Sequence, residues 1–150
     1  MRSVSSPTIR SFRSADRAAL VELWSEVFPE DPPRNAPESM IDNKLRVQSD
    51  LLMVADVDNR LVGAVMAGFD GTRGWIHHLA VAPRYRLKGI ATALLRAAED
   101  GLQRLGCPKV NLQVRAEDDG VVAFYRALGY SAERRVSMGK VLGTEPTDAR

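Results

Sequence analysis

The fold is decided by the stretch Leu79-Ala80-Val81-Ala82-Pro83-Arg84-Tyr85-Arg86-Leu87-Lys88-Gly89-Ile90-Ala91-Thr92-Ala93-Leu94-Leu95. It runs from an apolar strand through a basic turn with one glycine and continues directly into an amphipathic helix. Backbone N–H groups at the start of a helix lack partners within the helix, and together with the helix dipole they favour a bound phosphate. Gly89 would let a phosphate approach closely, and Arg84, Arg86 and Lys88 add three positive charges. The stretch therefore predicts a binding site for a polyanion.

The spacing Arg86-x-x-Gly89-x-Ala91 differs from that of the two common phosphate loops. A Walker loop needs two glycines followed by Lys-Ser/Thr, and a dinucleotide-binding turn needs G-x-G-x-x-G. The spacing instead resembles motif A of the GNAT superfamily of acyl-CoA-dependent N-acyltransferases, (Gln/Arg)-x-x-Gly-x-(Gly/Ala). The resemblance implies that this turn holds the pyrophosphate of coenzyme A.

A second segment lies where that superfamily would place its other signature. Residues 109–115 alternate apolar with polar and predict a strand, and residues 121–130 read Val-Val-Ala-Phe-Tyr-Arg-Ala-Leu-Gly-Tyr. The latter resemble the family's short helix that carries Phe-Tyr and ends in Leu-Gly-Phe/Tyr. Gly129 suits a left-handed helix C-cap, and Tyr130 is expected to open the last strand. The resemblance extends from the strand at Ile9 to Val141 and is greatest to a small bacterial subgroup of single-domain members.

The resemblance implies a mixed α/β (α+β) fold, with a mostly antiparallel twisted sheet of about six strands flanked by helices. We expect one domain over residues 1–142 and a flexible tail over 143–150, because the tail is polar and contains a proline. Pattern and turn chemistry predict strands at 8–12, 51–57, 61–69, 75–81 and 109–115, and helices at 14–28, 38–48 and 89–105. The resemblance implies that the first two helices and the loop between them border the acceptor cleft.

Composition excludes several classes of function. The 150 residues include 21 Lys and Arg against 19 Asp and Glu, which is far from the one-sided balance of a nucleic-acid binder. The N-terminus lacks the apolar run of a signal peptide, and no segment approaches the length of a membrane span. The single cysteine, Cys107, suits a reducing cytoplasm, and no spacing of ligand residues predicts a metal site. We expect a cytoplasmic protein without nucleic-acid or membrane partners.

The resemblance implies acetyl-CoA as the acyl donor. Backbone groups of the strand that precedes the turn would pair with the pantetheine arm like an added strand, and the turn would bind the pyrophosphate. The residues expected to bind the cosubstrate are Leu79, Ala80, Val81, Arg86, Leu87, Lys88, Gly89, Ile90, Ala91 and Thr92.

Amide formation requires a neutral amine and a proton for the departing CoA thiolate. Tyr125 matches the family position whose hydroxyl hydrogen-bonds the CoA sulfur, and it is the candidate acid; the alternative is an aromatic residue that only packs beside Phe124. Asp118 stands where the family commonly has asparagine, and an acid there is expected to cap the following helix rather than to contact the cofactor.

The general base is less clear from the sequence. The two positions at which family members carry a glutamate match Trp75 and Gln113, and neither side chain can accept a proton. His77 is a candidate base, directly or through water, because an imidazole titrates in the useful range. Strict strand alternation would place it on one face with Trp75, and His78 on the other. The alternatives are a His77 that is only hydrogen-bonded within the sheet or lines the cleft, Glu117 or Asp119 as the base, and catalysis by positioning alone.

The expected function is transfer of an acetyl group from acetyl-CoA to a primary amine, by direct attack in a ternary complex. The acceptor, a small molecule or a peptide or protein amine, is not identified by the sequence, and a homodimer remains open. A second hypothesis from another class is a catalytically inactive acyl-CoA-binding regulatory module. A nucleotide-binding protein is disfavoured because the turn has neither of the common nucleotide-binding patterns.

Overall fold

The computed structural model describes residues 5–143 and contains one five-stranded sheet in the order β1-β2-β3-β4-β5. The first four strands pair antiparallel, whereas β4 and β5 are parallel. The strands are β1 (Thr8–Ser11), β2 (Leu52–Val57), β3 (Arg60–Phe69), β4 (Gly74–Val81) and β5 (Val110–Leu112). The helices are α1 (Arg17–Val27), α2 (Pro37–Lys44), α3 (Ile90–Arg104) and α4 (Asp119–Ala127). The predicted mixed α/β class is confirmed.

Each face of the sheet has its own apolar core, because alternate residues of a strand point to opposite faces. On one face, α3 packs against β2, β3 and β4 with Leu94, Leu95, Ala98 and Leu102. On the other face, α1 and α2 contribute Leu20, Trp24 and Ile41. The sheet thus separates α3 from the α1–α2 pair.

Glycines in the left-handed conformation mark both ends of α3. Gly89 has φ +81° at the N-terminus and Gly106 has φ +83° after the C-terminus, where the Cys107 N–H donates to the Leu102 carbonyl oxygen at 3.1 Å. Glycine adopts this backbone conformation without a steric penalty. The helix therefore begins immediately after the basic turn, as its sequence predicts.

A β-bulge interrupts β4. Ala64 of β3 lies opposite Ala80, but two residues further along β3 Met66 lies opposite His77, so β4 contains one extra residue. His78 accommodates this residue with φ +49°, a conformation that non-glycine residues rarely adopt. Side chains on either side of the bulge consequently depart from strict alternation.

The prediction of a sixth strand from Tyr130 onward is wrong. Residues 130–143 contain no strand, and the segment is fixed by side chains instead: the Tyr130 hydroxyl donates to Glu99 at 2.6 Å and the Asn111 amide donates to Glu133 at 2.8 Å. Glu133-Arg134-Arg135 breaks the alternation of apolar and polar residues, so the segment has no continuous apolar face to bury.

Two predicted elements are also shorter than expected. The second helix ends at Lys44 rather than at residue 48, where Gln48 turns to φ +50° and its side chain makes two hydrogen bonds with the Phe69 backbone. The strand predicted over 109–115 spans only Val110–Leu112. The predicted tail beyond Gly143 lies outside the described residues. The first four residues of the N-terminal segment, which is expected to lack a signal peptide, also lie outside them. Within residues 5–143, no helix has the length and apolar character needed to cross a membrane.

The close approach of α3 to β3 at Gly63 gives a test of this packing. A Cβ atom at position 63 would lie 2.9 Å from Leu94 Cδ1 and 3.1 Å from the Ala80 carbonyl oxygen. Gly63→Ala is therefore expected to lower the free energy of unfolding by about 1–3 kcal/mol through overpacking. The control is Gly139→Ala, where a Cβ would meet no atom within 4 Å and a change within about 0.5 kcal/mol is expected. Equal stabilities in urea unfolding would contradict the described packing.

Candidate active site

The basic turn leaves the N-terminus of α3 open. After a short 3-10 turn at Pro83–Tyr85, Leu87 and Gly89 adopt left-handed backbone conformations with φ +63° and +81°. Among the described residues, no side chain caps the first N–H groups of α3, and a Cβ on Gly89 would meet no atom within 4 Å. Packing therefore does not require glycine here, but the positive φ and the open space at the helix N-terminus both suit it.

Positive charge surrounds this opening. Arg84, Arg86 and Lys88 are exposed, and within residues 5–143 no carboxylate forms an ion pair with them. The Arg86 Nε donates to the Val81 carbonyl oxygen at 3.1 Å, so this side chain also ties the turn to the end of β4. The turn thus combines open backbone donors with three cationic side chains, which is the chemistry that binds phosphate.

One edge of β4 has no neighbouring strand beyond residue 76. Its pairing with β5 covers only Gly74, Trp75 and Ile76, whereas β4 continues to Val81. The Ala82 N–H donates to the Val62 carbonyl oxygen at 2.8 Å, and hydrogen-bonding direction alternates along an antiparallel strand. The backbone groups of Leu79 and Val81 therefore point away from β3, toward the open edge, while those of Ala80 point toward β3.

Tyr125 lies on α4 and packs against the core on the α3 side of the sheet. Asp118 begins this helix as predicted, accepting a hydrogen bond from the Val121 N–H at 3.2 Å. The Tyr125 ring packs between Phe124 and Tyr130, with ring centroids 5.1 and 5.5 Å away. Burial raises the pKa of Tyr125 to about 12, so the phenol is protonated at neutral pH. Its hydroxyl donates to no other group in the described part of the chain and is free to hydrogen-bond a ligand.

Both histidines lie on the α1–α2 side of the sheet, so the prediction that they point to opposite faces is wrong. The bulge at His78 is the cause, since it adds one residue between His77 and Ala80. His78 Nε2 lies 2.6 Å from an Asp31 carboxylate oxygen, and its ring packs against Trp24 and Phe28. His78 is thus held in place by these partners, whereas His77 lies exposed beside it.

A groove of about 300 Å³ lies between α2 and the sheet, with His77 at its edge. Its walls are mostly apolar and include one charged side chain, Lys44. The lining residues are Met40, Asn43, Lys44, Val47, Met66, Ala67, Gly68 and His77. Sequence analysis missed Lys44, because a lysine in the last turn of an amphipathic helix is normally solvated.

Lys44 is only 8% exposed. Desolvation lowers the pKa of Lys44, and the charge of Asp50 partly opposes this shift. Desolvation by the groove walls also lowers the pKa of His77, although its ring is in contact with solvent, and the positive charges of His78 and Lys44 act in the same direction. A lowered pKa favours the neutral imidazole, which is the form that accepts a proton.

The other candidate bases lie outside this groove. Glu117 and Asp119 are exposed on the turn that leads into α4, and neither lines the groove. Trp75 and Gln113, at the family's glutamate positions, cannot accept a proton. Across residues 5–143, no group of three or more His, Cys, Asp or Glu side chains is arranged to hold a metal ion.

The open edge of β4 therefore runs from the basic turn at the end of the strand to the small groove beside His77. Such an arrangement suits a transferase, because a phosphate-bearing donor and a second substrate could meet along one strand. The model of the acetyltransferase (GNAT) family matches residues 17–130, and the chain belongs to this family. Membership makes it an N-acetyltransferase with acetyl-CoA as cosubstrate.

Relatives agree with this assignment. An acetyltransferase of Pectobacterium atrosepticum is 42% identical over 134 residues, which cover 89% of this chain and 94% of the relative. An acetyltransferase of Sodalis glossinidius is 42% identical over 128 residues, covering 85% and 89%. Among solved structures, the PaiA N-acetyltransferase from Thermoplasma acidophilum, in complex with coenzyme A, has the same fold. Its TM-score is 0.76 at 21% identity, covering 88% of this chain and 94% of that one.

The electrostatic coupling between Lys44 and His77 can be measured directly. Replacing Lys44 by methionine removes a positive charge that lowers the pKa of His77, so the pKa should rise. The histidine proton signals in an NMR pH titration report this shift, and since the chain has two histidines, a His77→Gln variant assigns them. Lys109→Met is the control, because Lys109 pairs with Glu133 outside the groove. An unchanged His77 pKa in Lys44→Met would show that the two groups do not interact.

Proposed function

We propose that the chain transfers the acetyl group of acetyl-CoA to a primary amine by direct attack within a ternary complex. The observation that carries this proposal is the open edge of β4, which runs from the basic turn to the groove beside His77. A donor bound along this edge would present its thioester between the two sites. Holding two reactants side by side supplies several kcal/mol of the barrier reduction without any covalent enzyme intermediate.

We assign the binding of acetyl-CoA to residues of β4 and of the basic turn. Outward-facing backbone groups of Leu79 and Val81 would pair with the pantetheine amides, with Ala80 between them keeping the strand anchored to β3. The pyrophosphate would bind at the N-terminus of α3, where Gly89, Ile90, Ala91 and Thr92 offer backbone N–H groups. Arg86, Leu87 and Lys88 complete the turn, the first by its hydrogen bond to Val81 and the last by its free charge.

The chemistry needs one proton acceptor and one proton donor. The amine nitrogen attacks the thioester carbonyl carbon, the amine loses a proton and the carbon–sulfur bond breaks. Neutral His77, directly or through water, would accept the proton from the amine, since its lowered pKa keeps it unprotonated at neutral pH. Tyr125 would donate a hydrogen bond and then a proton to the departing thiolate, because its phenol is protonated and free.

One observation favours a second function. Neither family glutamate position holds an acid, which would suit an acyl-CoA-binding regulatory module that has lost catalysis. Such a module would bind acetyl-CoA tightly and acetylate none of a broad range of amines. A cytoplasmic location, supported by the single free cysteine, fits both functions.

The proposed pyrophosphate site is tested by Gly89→Glu. A carboxylate about 4 Å from the phosphates would repel them by about 4 kcal/mol, on the order of a thousandfold in affinity. Calorimetry with CoA should therefore show almost no binding. The matched control is Gly71→Glu, which introduces the same charge at another left-handed glycine with open space around it, in the turn before β4. Wild-type affinity in Gly89→Glu would move the pyrophosphate elsewhere.

The proposed acid is tested by Tyr125→Phe, which keeps the ring and removes the hydroxyl. Turnover should fall by about 10²- to 10⁴-fold while the affinity for acetyl-CoA stays near wild type. Tyr130→Phe is the control, since it removes the hydroxyl of the neighbouring ring, which already donates to Glu99. Unchanged turnover in Tyr125→Phe would remove Tyr125 from the mechanism. Tight CoA binding by wild type without turnover on any amine would favour the regulatory module.

A further inference from the structure

The groove beside His77 contains a buried cation without an anionic partner in contact. Lys44 as a residue is more than nine-tenths buried, lines the groove, and makes no hydrogen bond or ion pair within residues 5–143, and its Nζ retains contact with solvent. Its ammonium group is directed toward the sheet, since a Cβ atom on Gly68 would lie 3.5 Å from Lys44 Nζ. Buried lysines are normally paired, because desolvating a charge is costly.

The neighbouring acids either pair with another cation or form no ion pair with Lys44. Glu38 and Asp42, on the same helix, both bind Arg17 at 2.7 Å. Asp50 interacts with Lys44 through its charge but does not form an ion pair with it. The position of Lys44 at the last residue of α2 helps to keep the ammonium charged, because the negative end of the helix dipole favours a cation. The groove therefore presents a positive charge and contains no acid.

We propose that this groove binds an acceptor amine that also carries a carboxylate, and that Lys44 recognises that carboxylate. This inference rests on the proposed function and specifies its substrate class. The carboxylate would pair with Lys44 inside the groove, and the amine would then lie toward His77 at the groove's edge. The pairing would form a charge-assisted hydrogen bond and give the ammonium an anionic partner.

The shape of the groove narrows the class further. A volume of about 300 Å³ is at the small end for ligand sites. Met40, Val47 and Met66 make its walls apolar. These properties suit a free amino acid with an apolar side chain. Polyamines and aminoglycosides carry several positive charges and no carboxylate, so Lys44 and the absence of an acid would disfavour them.

The test compares acceptors that differ only in the carboxylate. Wild type and Lys44→Met are assayed with acetyl-CoA and either L-leucine or L-leucinamide, following release of free thiol. Methionine keeps the length and apolar stem of the side chain and removes its charge, so the variant should fold. Wild type should prefer leucine, and Lys44→Met should lose this preference by about ten- to a hundredfold in kcat/KM. The preference of each protein is the ratio of its kcat/KM for leucine to that for leucinamide. Dividing the wild-type ratio by the Lys44→Met ratio cancels the different intrinsic reactivities of the two amines.

Two controls keep the result specific. Lys44→Arg retains the charge and should retain part of the preference for the carboxylate. Gly68→Ala adds a methyl group beside Lys44 Nζ without changing the charge, and it should raise KM for leucine more than for the smaller glycine. Affinity of each variant for CoA, measured by calorimetry, should equal that of wild type.

A binding measurement separates failure of this inference from failure of the proposed function. Leucine added to CoA-bound protein should shift the His77 proton signals in wild type and leave them unshifted in Lys44→Met. Acetylation of leucine with equal efficiency in wild type and Lys44→Met, or an unchanged preference for leucine over leucinamide, would overturn the carboxylate inference while leaving the acetyltransferase intact. Absence of any leucine-induced shift would overturn it as well. Absence of turnover on every amine would count against the proposed function, whatever the binding result.

Discussion

The geometry of the site depends on the separation of β4 from β5 after residue 76. Parallel strands need a crossover connection, and α3 forms it, so the N-terminus of α3 necessarily lies near the end of β4. The same unit therefore creates an open strand edge and a helix N-terminus that continues from it. Gly63 lets α3 lie close to β3, and Gly101 lets it lie close to Leu51 just before β2, since a Cβ at either position would be less than 3 Å from a neighbouring side chain.

The bulge in β4 is the second geometric determinant. Without it, His77 and His78 would alternate across the sheet, and only one of them could face α1 and α2. With it, His78 contacts Asp31, Trp24 and Phe28, and His77 is left at the edge of the groove. The left-handed backbone of His78 is sterically unfavourable, and these contacts offset that cost.

Local features could be predicted from the sequence, because their determinants are close together in the chain. The basic turn, the helix that follows it, the Asp118 cap and the Gly129 terminator all depend on residues within one or two turns of each other. The bulge, the burial of Lys44 and the missing sixth strand depend on partners tens of residues away. No sequence pattern around His78 indicates an extra residue in β4. The charged run at 133–135 does not by itself exclude a strand, because strand formation there also depends on whether a neighbouring strand pairs with it.

The region around the site is positively charged, which the net charge of +2 for the whole chain does not reveal. Several acids are already paired with arginine or lysine: Asp16 and Asp56 with Arg10, Glu38 and Asp42 with Arg17, and Glu133 with Lys109. The basic residues of the turn and Lys44 have no such partners in contact within the described chain. Both ends of the open β4 edge are thus positive. Because unpaired charge is stabilised by a bound anion, this arrangement favours anionic groups on both substrates, phosphates on the donor and a carboxylate on the acceptor.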